Sequence, residues 1–286
     1  MKEFLGKGTD LPRTRPYGML YVCVLKGSAP GIEKRFFDTM LACWEEDGVT
    51  ELVFEEPHEA AVRDYISTNH PGAEFLWEGK IRYDNWETGK PVVPTHASGF
   101  LLCQSWDVVE PAECEQRIIL DPGLAFGTGC HPTTQESLSL LRLAFRIQNH
   151  ETVLAIGCGS GVLSFASILL GARRAYAVDY SLLADNAARK GAKLNGMKEN
   201  IEIYHDDAMH QLHHPAGLVL CNINYQIIDD FLMHPDVKKR EWIIFSGINP
   251  EKKHIDFVKK LAAAGREIVE CRRRNVWYSY LTEKRS

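Results

Sequence analysis

The sequence has no C-x-x-C pair. Its eight cysteines, Cys23, Cys43, Cys103, Cys114, Cys130, Cys158, Cys221 and Cys271, are scattered, which argues against a zinc site and against a disulfide framework. Reduced, mostly buried thiols are expected. No apolar run approaches the roughly 20 residues of a membrane span, and the opening MKEFLGKGTDLPRTRPYG carries no apolar signal segment. A cytoplasmic location without membrane contact is the expectation. Excess positive charge is missing too: a net charge of −5 over 286 residues disfavours direct binding to nucleic acid. The basic runs Lys238-Lys239-Arg240 and Arg272-Arg273-Arg274 read as solvated faces or turns. His205, His210, His213 and His214 match no metal-ligand spacing, and Pro215 interrupts any helix that would align them. They read as surface histidines.

What is present centres on TVLAIGCGSGVLSFASILLGARRAYAVD, Thr152 to Asp179. A short apolar run breaks into Gly157, Gly159 and Gly161, a helical segment Val162 to Leu170 closes at Gly171, and a second run ends on Asp179. This is the βαβ order of a doubly wound sheet. Glycines at the end of a strand permit a sharp turn and let a ligand approach the amides at a helix start. An acid at the tip of the next strand is placed to accept from a ribose. The dinucleotide fingerprint also lacks its third small residue, since position 162 is Val162. The spacing is G-x-G-x-G instead, which resembles the first motif of class I S-adenosylmethionine methyltransferases.

Before this stretch, Gly18 to Leu25 reads as a strand, Ile32 to Asp47 as an amphipathic helix, Gly48 to Phe54 as a strand, Glu59 to Thr68 as a helix and Ala73 to Trp77 as a strand. Residues up to about Tyr17 read as an unstructured lead-in. The pattern gives a small α+β domain over 1–79, then an aromatic and proline-rich linker over 80–115 that packs on the catalytic domain, 116–286. Phe100 to Cys103 is a strand within the linker, and Trp86 and Trp106 are read as packing residues. Arg117 to Thr134 forms an elaborate loop whose paired threonines, Thr133 and Thr134, are expected to cap the helix Gln135 to Phe145. Beyond Asp179 the pattern is helix Leu182 to Leu194, turn Asn195-Gly196, strand Ile201 to Tyr204, strand Leu218 to Cys221 and strand Trp242 to Phe245. The helix Glu251 to Ala264 and strands near Glu267 to Cys271 and Val276 to Leu281 complete the chain.

The segment DPGLAFGTGCHPTT, followed by IGCGSGVL, VD, NG and NIN, resembles the PrmA-type ribosomal protein L11 methyltransferase family from about Trp86 to Trp277. The resemblance implies an α/β fold, a Rossmann-like seven-stranded class I methyltransferase sheet with an antiparallel hairpin edge and a small N-terminal α+β domain. It implies S-adenosyl-L-methionine as methyl donor and amino groups of ribosomal protein L11 as acceptors. Cofactor contacts carry over to Phe126, Thr134, Gly157, Gly159, Gly161, Asp179, Asp207 and Asn222, with Asn222 also the catalytic candidate whose carbonyl holds the acceptor amine. Three positions depart from the family: Ala155 replaces the usual acid before the first glycine, Asn224-Tyr225 replaces Leu-Ala after Asn222-Ile223, and the N-terminal module is shortened between Phe54 and Glu59. Ser246-Gly247-Ile248 resembles the family's SGI turn.

A lysine acceptor is protonated at pH 7 by some 3.4 units, a handicap of about 4.6 kcal/mol that the site has to offset. The sequence shows no obvious buried base. Three other readings stay open at this level: a methyltransferase of the same fold with another acceptor, a catalytically weakened binding module, and an NAD oxidoreductase, against which the glycine spacing argues. Oligomeric state is not legible.

Overall fold

The computed structural model describes residues 17–285 apart from 37, 47, 88, 90 and 250, and the expected lead-in, residues 1–16, lies outside them. Two compact units divide the chain, the smaller running through Val92 and the larger starting at Val93. The smaller unit has the strands β1 (Met19–Lys26), β2 (Met40–Glu46), β3 (Val49–Phe54) and β4 (Glu74–Arg82), with α1 (Ile32–Arg35) after β1 and α2 (Glu59–Asn69) after β3. The strands form one antiparallel sheet in the order β2-β3-β1-β4. Alternation puts Cys23, Leu25, Leu52 and Phe54 on one face, where they bury Ile32, Phe36, Val62 and Ile66.

The expected helix over Ile32 to Asp47 is not formed. Its first turn is α1, and its second half is β2, which pairs with β3 through Ala42↔Val53, Cys43↔Leu52 and Glu46↔Val49. The apolar spacing suited either structure, and pairing with a neighbouring strand decided it. An available signal was the Asp47-Gly48 pair between two apolar runs, a two-residue hairpin sequence; Gly48 has a φ of 75°. β4 runs past the expected boundary at 79/80 as far as Arg82. Trp86 stacks on Trp44 with centroids 5.7 Å apart, a packing role as expected.

The larger unit opens with β5 (Thr95–Ala97), β6 (Phe100–Gln104) and β7 (Gln116–Leu120), a three-stranded sheet that takes in much of the expected linker. There follow α3 (Pro132–Ile147), β8 (Thr152–Ile156), α4 (Val162–Leu169), β9 (Arg174–Asp179), α5 (Leu182–Leu194), β10 (Ile201–His205), β11 (Leu218–Asn222), α6 (Tyr225–Met233) and α7 (Pro235–Lys238). β12 (Trp242–Ile248), α8 (Glu251–Ala263), β13 (Arg266–Arg274) and β14 (Trp277–Lys284) complete it. The large sheet has seven strands in the order β10-β9-β8-β11-β12-β14-β13. β8 to β12 are mutually parallel, and β14 runs antiparallel to both of its neighbours. This is the seven-stranded arrangement with a hairpin edge that the resemblance implies.

The central strands are apolar on both faces because both are covered. Val153, Ala155, Ala177 and Leu220 pack with Leu138 and Leu141 of α3 and Phe165 of α4. On the other face Leu154, Ile156, Val219 and Phe245 pack with Ile228 and Phe231 of α6 and Phe257 of α8. Sequence order runs outward from β8 in both directions, so the topological switch lies between β8 and β11, where α/β sheets bind ligands at their carboxyl ends. α4 ends at Gly171 (φ 116°), with Gly171 N–H donating to Ile168 O and Ala172 N–H to Ser167 O, the paired bonds of a glycine-terminated helix.

Several local expectations change. Of the thiols, Cys23, Cys103 and Cys221 are buried, whereas Cys114 and Cys271 are exposed. The arginines are not merely solvated: Arg240 donates to the carbonyls of Leu212 and His214, and Arg272 and Arg274 reach α3. Ser246-Gly247-Ile248 lies inside β12 at a register shift rather than in a turn.

Candidate functional site

Between β8 and α4 the glycine loop commits its own donors. Cys158 N–H donates to Val178 O at 3.0 Å, Ser160 N–H to Phe126 O at 2.9 Å and Gly161 N–H to Cys158 O at 2.9 Å. Gly159 N–H donates to Asp179 Oδ2 at 2.9 Å. Four consecutive amides are thereby spent on protein acceptors. A pyrophosphate-binding loop has to offer such donors to its ligand.

The second loop, 121–131, is laid directly on the first. Ser160 Oγ donates to Gly127 O at 2.6 Å, and a Cβ on Gly127 would stand 2.6 Å from that same Oγ. A Cβ on Gly159 would stand 2.6 Å from Phe126 O. Glycine at 127 and 159 is thus required by the close approach of two loops, where sequence reasoning had assigned the glycine space to a ligand. The loop is tied at its start by Asp121, which accepts from Ser105 Oγ at 3.0 Å and pairs with Lys190 Nζ at 2.6 Å. In its middle Ala125 packs on Ala184 and Ala187 of α5.

At its far end the loop enters α3. The cap is His131, not the paired threonines: its Nδ1 accepts from Thr133 N–H at 3.4 Å and lies 2.7 Å from Thr133 Oγ1, with Pro132 at the first helical position. Burial pushes the His131 ring below the usual histidine range, favouring the neutral ring that an accepting nitrogen requires. Thr133 and Thr134 are buried inside the first turn.

Asp179 ends β9, only 9% exposed. Its Oδ1 accepts from Ser181 N–H at 3.0 Å while Oδ2 holds Gly159, and desolvation raises its carboxyl above the usual range. The Tyr180 amide faces the same carboxylate, which with about four lone-pair sites keeps capacity for a further donor. Next in the chain Tyr180 is 75% exposed, and on the second loop Phe126 is 59% exposed; His205 Nε2 lies 2.9 Å from the Tyr180 carbonyl. Asp207 is exposed after β10 and caps a 3-10 turn, Ala208–Gln211, accepting from Met209 N–H at 2.8 Å. Its neighbour Asp206 is held down to about 2 by hydrogen bonds from Gln211 and His210.

Asn222 ends β11, half-buried, in register with Ser246 of β12. Ser246 is in turn paired with Ser279, their hydroxyls 2.6 Å apart, and its Oγ is 3.3 Å from Thr133 O. Asn222 and the first turn of α3 are therefore tied to the same buried serine. The two substituted residues after Asn222-Ile223 have structural duties. Asn224 caps α6, accepting from Gln226 N–H at 3.1 Å. Tyr225 is 9% exposed, packs edge-on to Phe257, and its hydroxyl is 3.3 Å from Asp256 of α8. Ala155 is buried among apolar residues, and the bracing of the loop falls to Asp179.

The structure thus gathers Gly157, Gly159, Gly161, Asp179, Asp207 and Asn222 at the carboxyl edge of the parallel strands, with Phe126 and Thr134 on the overlying loop and helix. Sequence reasoning missed Ser160, which joins the two loops, and His131, which caps α3. The unusual pairing of two glycine-rich segments was the signal that one packs on the other. A carboxylate with acceptor capacity left, followed by the exposed Tyr180 ring and with the exposed Phe126 on the loop above, suits a ribose and a base. With the loop amides already spent, the residues fit S-adenosylmethionine, which carries no phosphate, better than a dinucleotide.

Comparison with known proteins identifies the family. The family model described as "Ribosomal protein L11 methyltransferase (PrmA)" matches residues 40–285. A ribosomal protein L11 methyltransferase of Thermosynechococcus vestitus is 40% identical over 225 residues, 75% of this chain and 74% of that protein. One from Streptococcus equi subsp. zooepidemicus is 38% identical over 202 residues, 68% of this chain. The match spans 59% of that streptococcal protein's length. The crystal structure of a ribosomal protein L11 methylase from Lactobacillus delbrueckii subsp. bulgaricus superposes with a TM-score of 0.59 at 27% identity, covering 66% of this chain and 97% of that one. The chain belongs to the ribosomal protein L11 methyltransferase (PrmA) family.

Proposed function

We infer that the chain is an S-adenosylmethionine-dependent methyltransferase acting on amino groups of ribosomal protein L11, lysine side chains or the N-terminal amine. The observation that carries the reading of the donor site is the Gly159 amide on Asp179, 2.9 Å long, within a loop whose four amides from Cys158 to Gly161 are bonded inside the protein. When bound, S-adenosylmethionine supplies a sulfonium methyl open to in-line displacement by an amine. Asp179 would hold a ribose hydroxyl through its remaining acceptor capacity, and the exposed rings of Phe126 and Tyr180 would pack on the base. Thr134, in the first turn of α3, and Asn222, across the switch point, face the reacting end.

The Asn222 carboxamide would accept a hydrogen bond from the acceptor amine and so orient its lone pair toward the methyl. A carboxamide does not take the proton, so the amine reacts from its neutral fraction, and positioning supplies the remaining acceleration. Calorimetric titration of the purified chain with S-adenosylmethionine, S-adenosylhomocysteine and NAD tests the donor site. Binding of the first two without the third is expected; NAD binding would overturn the reading.

A further inference from the structure

The arginines at the end of β13 belong to none of the motifs discussed above, yet one of them reaches the helix that carries Thr134. Arg274 Nε lies 2.6 Å from Glu136 Oε1, and its Nη1 lies 2.8 Å from Gln135 Oε1. Glu136 is a buried carboxylate, 7% exposed as a residue. On the same side of the strand Arg272 hydrogen-bonds Ser139, one turn further along α3. From β14, Trp277 meets the His131 ring edge-on at 5.2 Å. From β12, Ser246 is bound to Thr133 O. The β12–β14 end of the sheet therefore grips α3 at residues 131, 133, 135, 136 and 139, which bracket Thr134.

We propose that Arg274 is a positioning residue for the cofactor site, fixing the first turn of α3 through its two-point bond to Gln135 and Glu136. The planar fork of arginine satisfies two acceptors one residue apart, a task for which a lysine ammonium has no matching geometry. The loop 121–131 is then held at its start by Asp121, at its middle by Ser160 and at its exit by the hairpin. Loss of the outer hold lets Thr134 drift relative to Asn222 while the sheet and its core stay intact.

This proposal rests on the donor-site reading above, and the test separates the two. Removing Arg274 alone leaves a buried carboxylate unpaired and risks the fold, so two other variants are used: Arg274→Lys, which keeps the charge, and the double variant Arg274→Ala with Glu136→Gln, which removes both charges. S-adenosylhomocysteine affinity, the KM for methyl donor, the KM for acceptor and the melting temperature are measured for each. The expected result is donor affinity about tenfold weaker in both variants, the scale of a small misplacement of a binding element. The acceptor KM and the Arg274→Lys melting temperature stay at wild-type values. Wild-type donor affinity in both variants overturns the proposal, as does a loss that tracks the unfolded fraction alone. Absence of S-adenosylhomocysteine binding by the wild-type chain would overturn the donor-site reading itself, and this proposal with it.

Discussion

The amide of Gly159 is held by the carboxylate of Asp179 across 2.9 Å, so the acid at the tip of one strand braces the loop that leaves its neighbour. This single bond joins two motifs that the sequence presents 20 residues apart. It also takes over bracing at a place where Ala155 has no acid to offer.

The first prediction concerns the loop-to-loop contact. Alanine at 159 has to adopt a φ near the observed 53° and place its Cβ 2.6 Å from Phe126 O; alanine at 127 meets Ser160 in the same way. Each substitution is expected to destabilise by about 1–3 kcal/mol and to weaken S-adenosylhomocysteine binding by more than the lost stability explains. Urea titration and calorimetry on the two variants check this, and Gly196→Ala, at a turn with open space around it, serves as the control for strain alone.

A second prediction uses the burial of Asp179. Its carboxyl is raised in the folded chain, so the unfolded chain gives up that proton at lower pH. Ionisation then opposes folding by an amount that is absent below the ordinary carboxylate value and grows until the pH passes the raised folded value. Wild type is expected to lose stability relative to Asp179→Asn as pH rises through this window, and to run parallel to it at neutral pH. Donor binding by the variant weakens about tenfold or more at pH 7, since a charge-assisted acceptor is lost. Unfolding curves across the acid range, with calorimetry at neutral pH, read both effects.

Asn222 tests the acceptor side. Replacement by alanine is expected to cut turnover by about 100-fold or more with little change in melting temperature, because the side chain is half-buried at the carboxyl end of β11, outside the packed core. Steady-state methylation assays alongside thermal unfolding decide it, and unchanged turnover would contradict the role.

The absence of a proton acceptor in the Asn222 role predicts a pH profile. Turnover of a lysine acceptor should rise about tenfold per pH unit between pH 7 and 9, following the neutral fraction of an amine whose ordinary value is roughly 10.4. A rate already flat at pH 7 would point to a base or a strongly depressed lysine. Tyr225→Phe should leave that profile unchanged, because the hydroxyl is engaged with Asp256 of α8.

Much of the large unit was readable because its strands are short apolar runs punctuated by glycine and asparagine. α5, from Leu182 to Leu194, falls on the expected bounds, and β8, β9 and β11 fall within a residue or two. What escaped reading was tertiary in origin. The stretch Met40–Glu46 has apolar residues at spacings that serve a helix or a strand, and its pairing with β3 is invisible locally. His131 caps α3 ahead of two better capping residues because Pro132 fixes the helix start three residues before the expected Gln135. Arg272 and Arg274 looked like a solvated run since their acceptors, Ser139 and Glu136, lie more than 130 residues away. In the site the residue types were legible, but the use of the glycine space was not: only the packed loops reveal that Phe126 O and Ser160 Oγ occupy it.

The central claim is methyl transfer to ribosomal protein L11, and the direct measurement is incubation of the purified chain with radiolabelled S-adenosylmethionine and purified L11, followed by mass spectrometry of the product. The account predicts label on L11 amino groups, carried as whole methyl increments and abolished by Asn222→Ala. L11 left unlabelled, under conditions in which the chain binds the methyl donor, would contradict it.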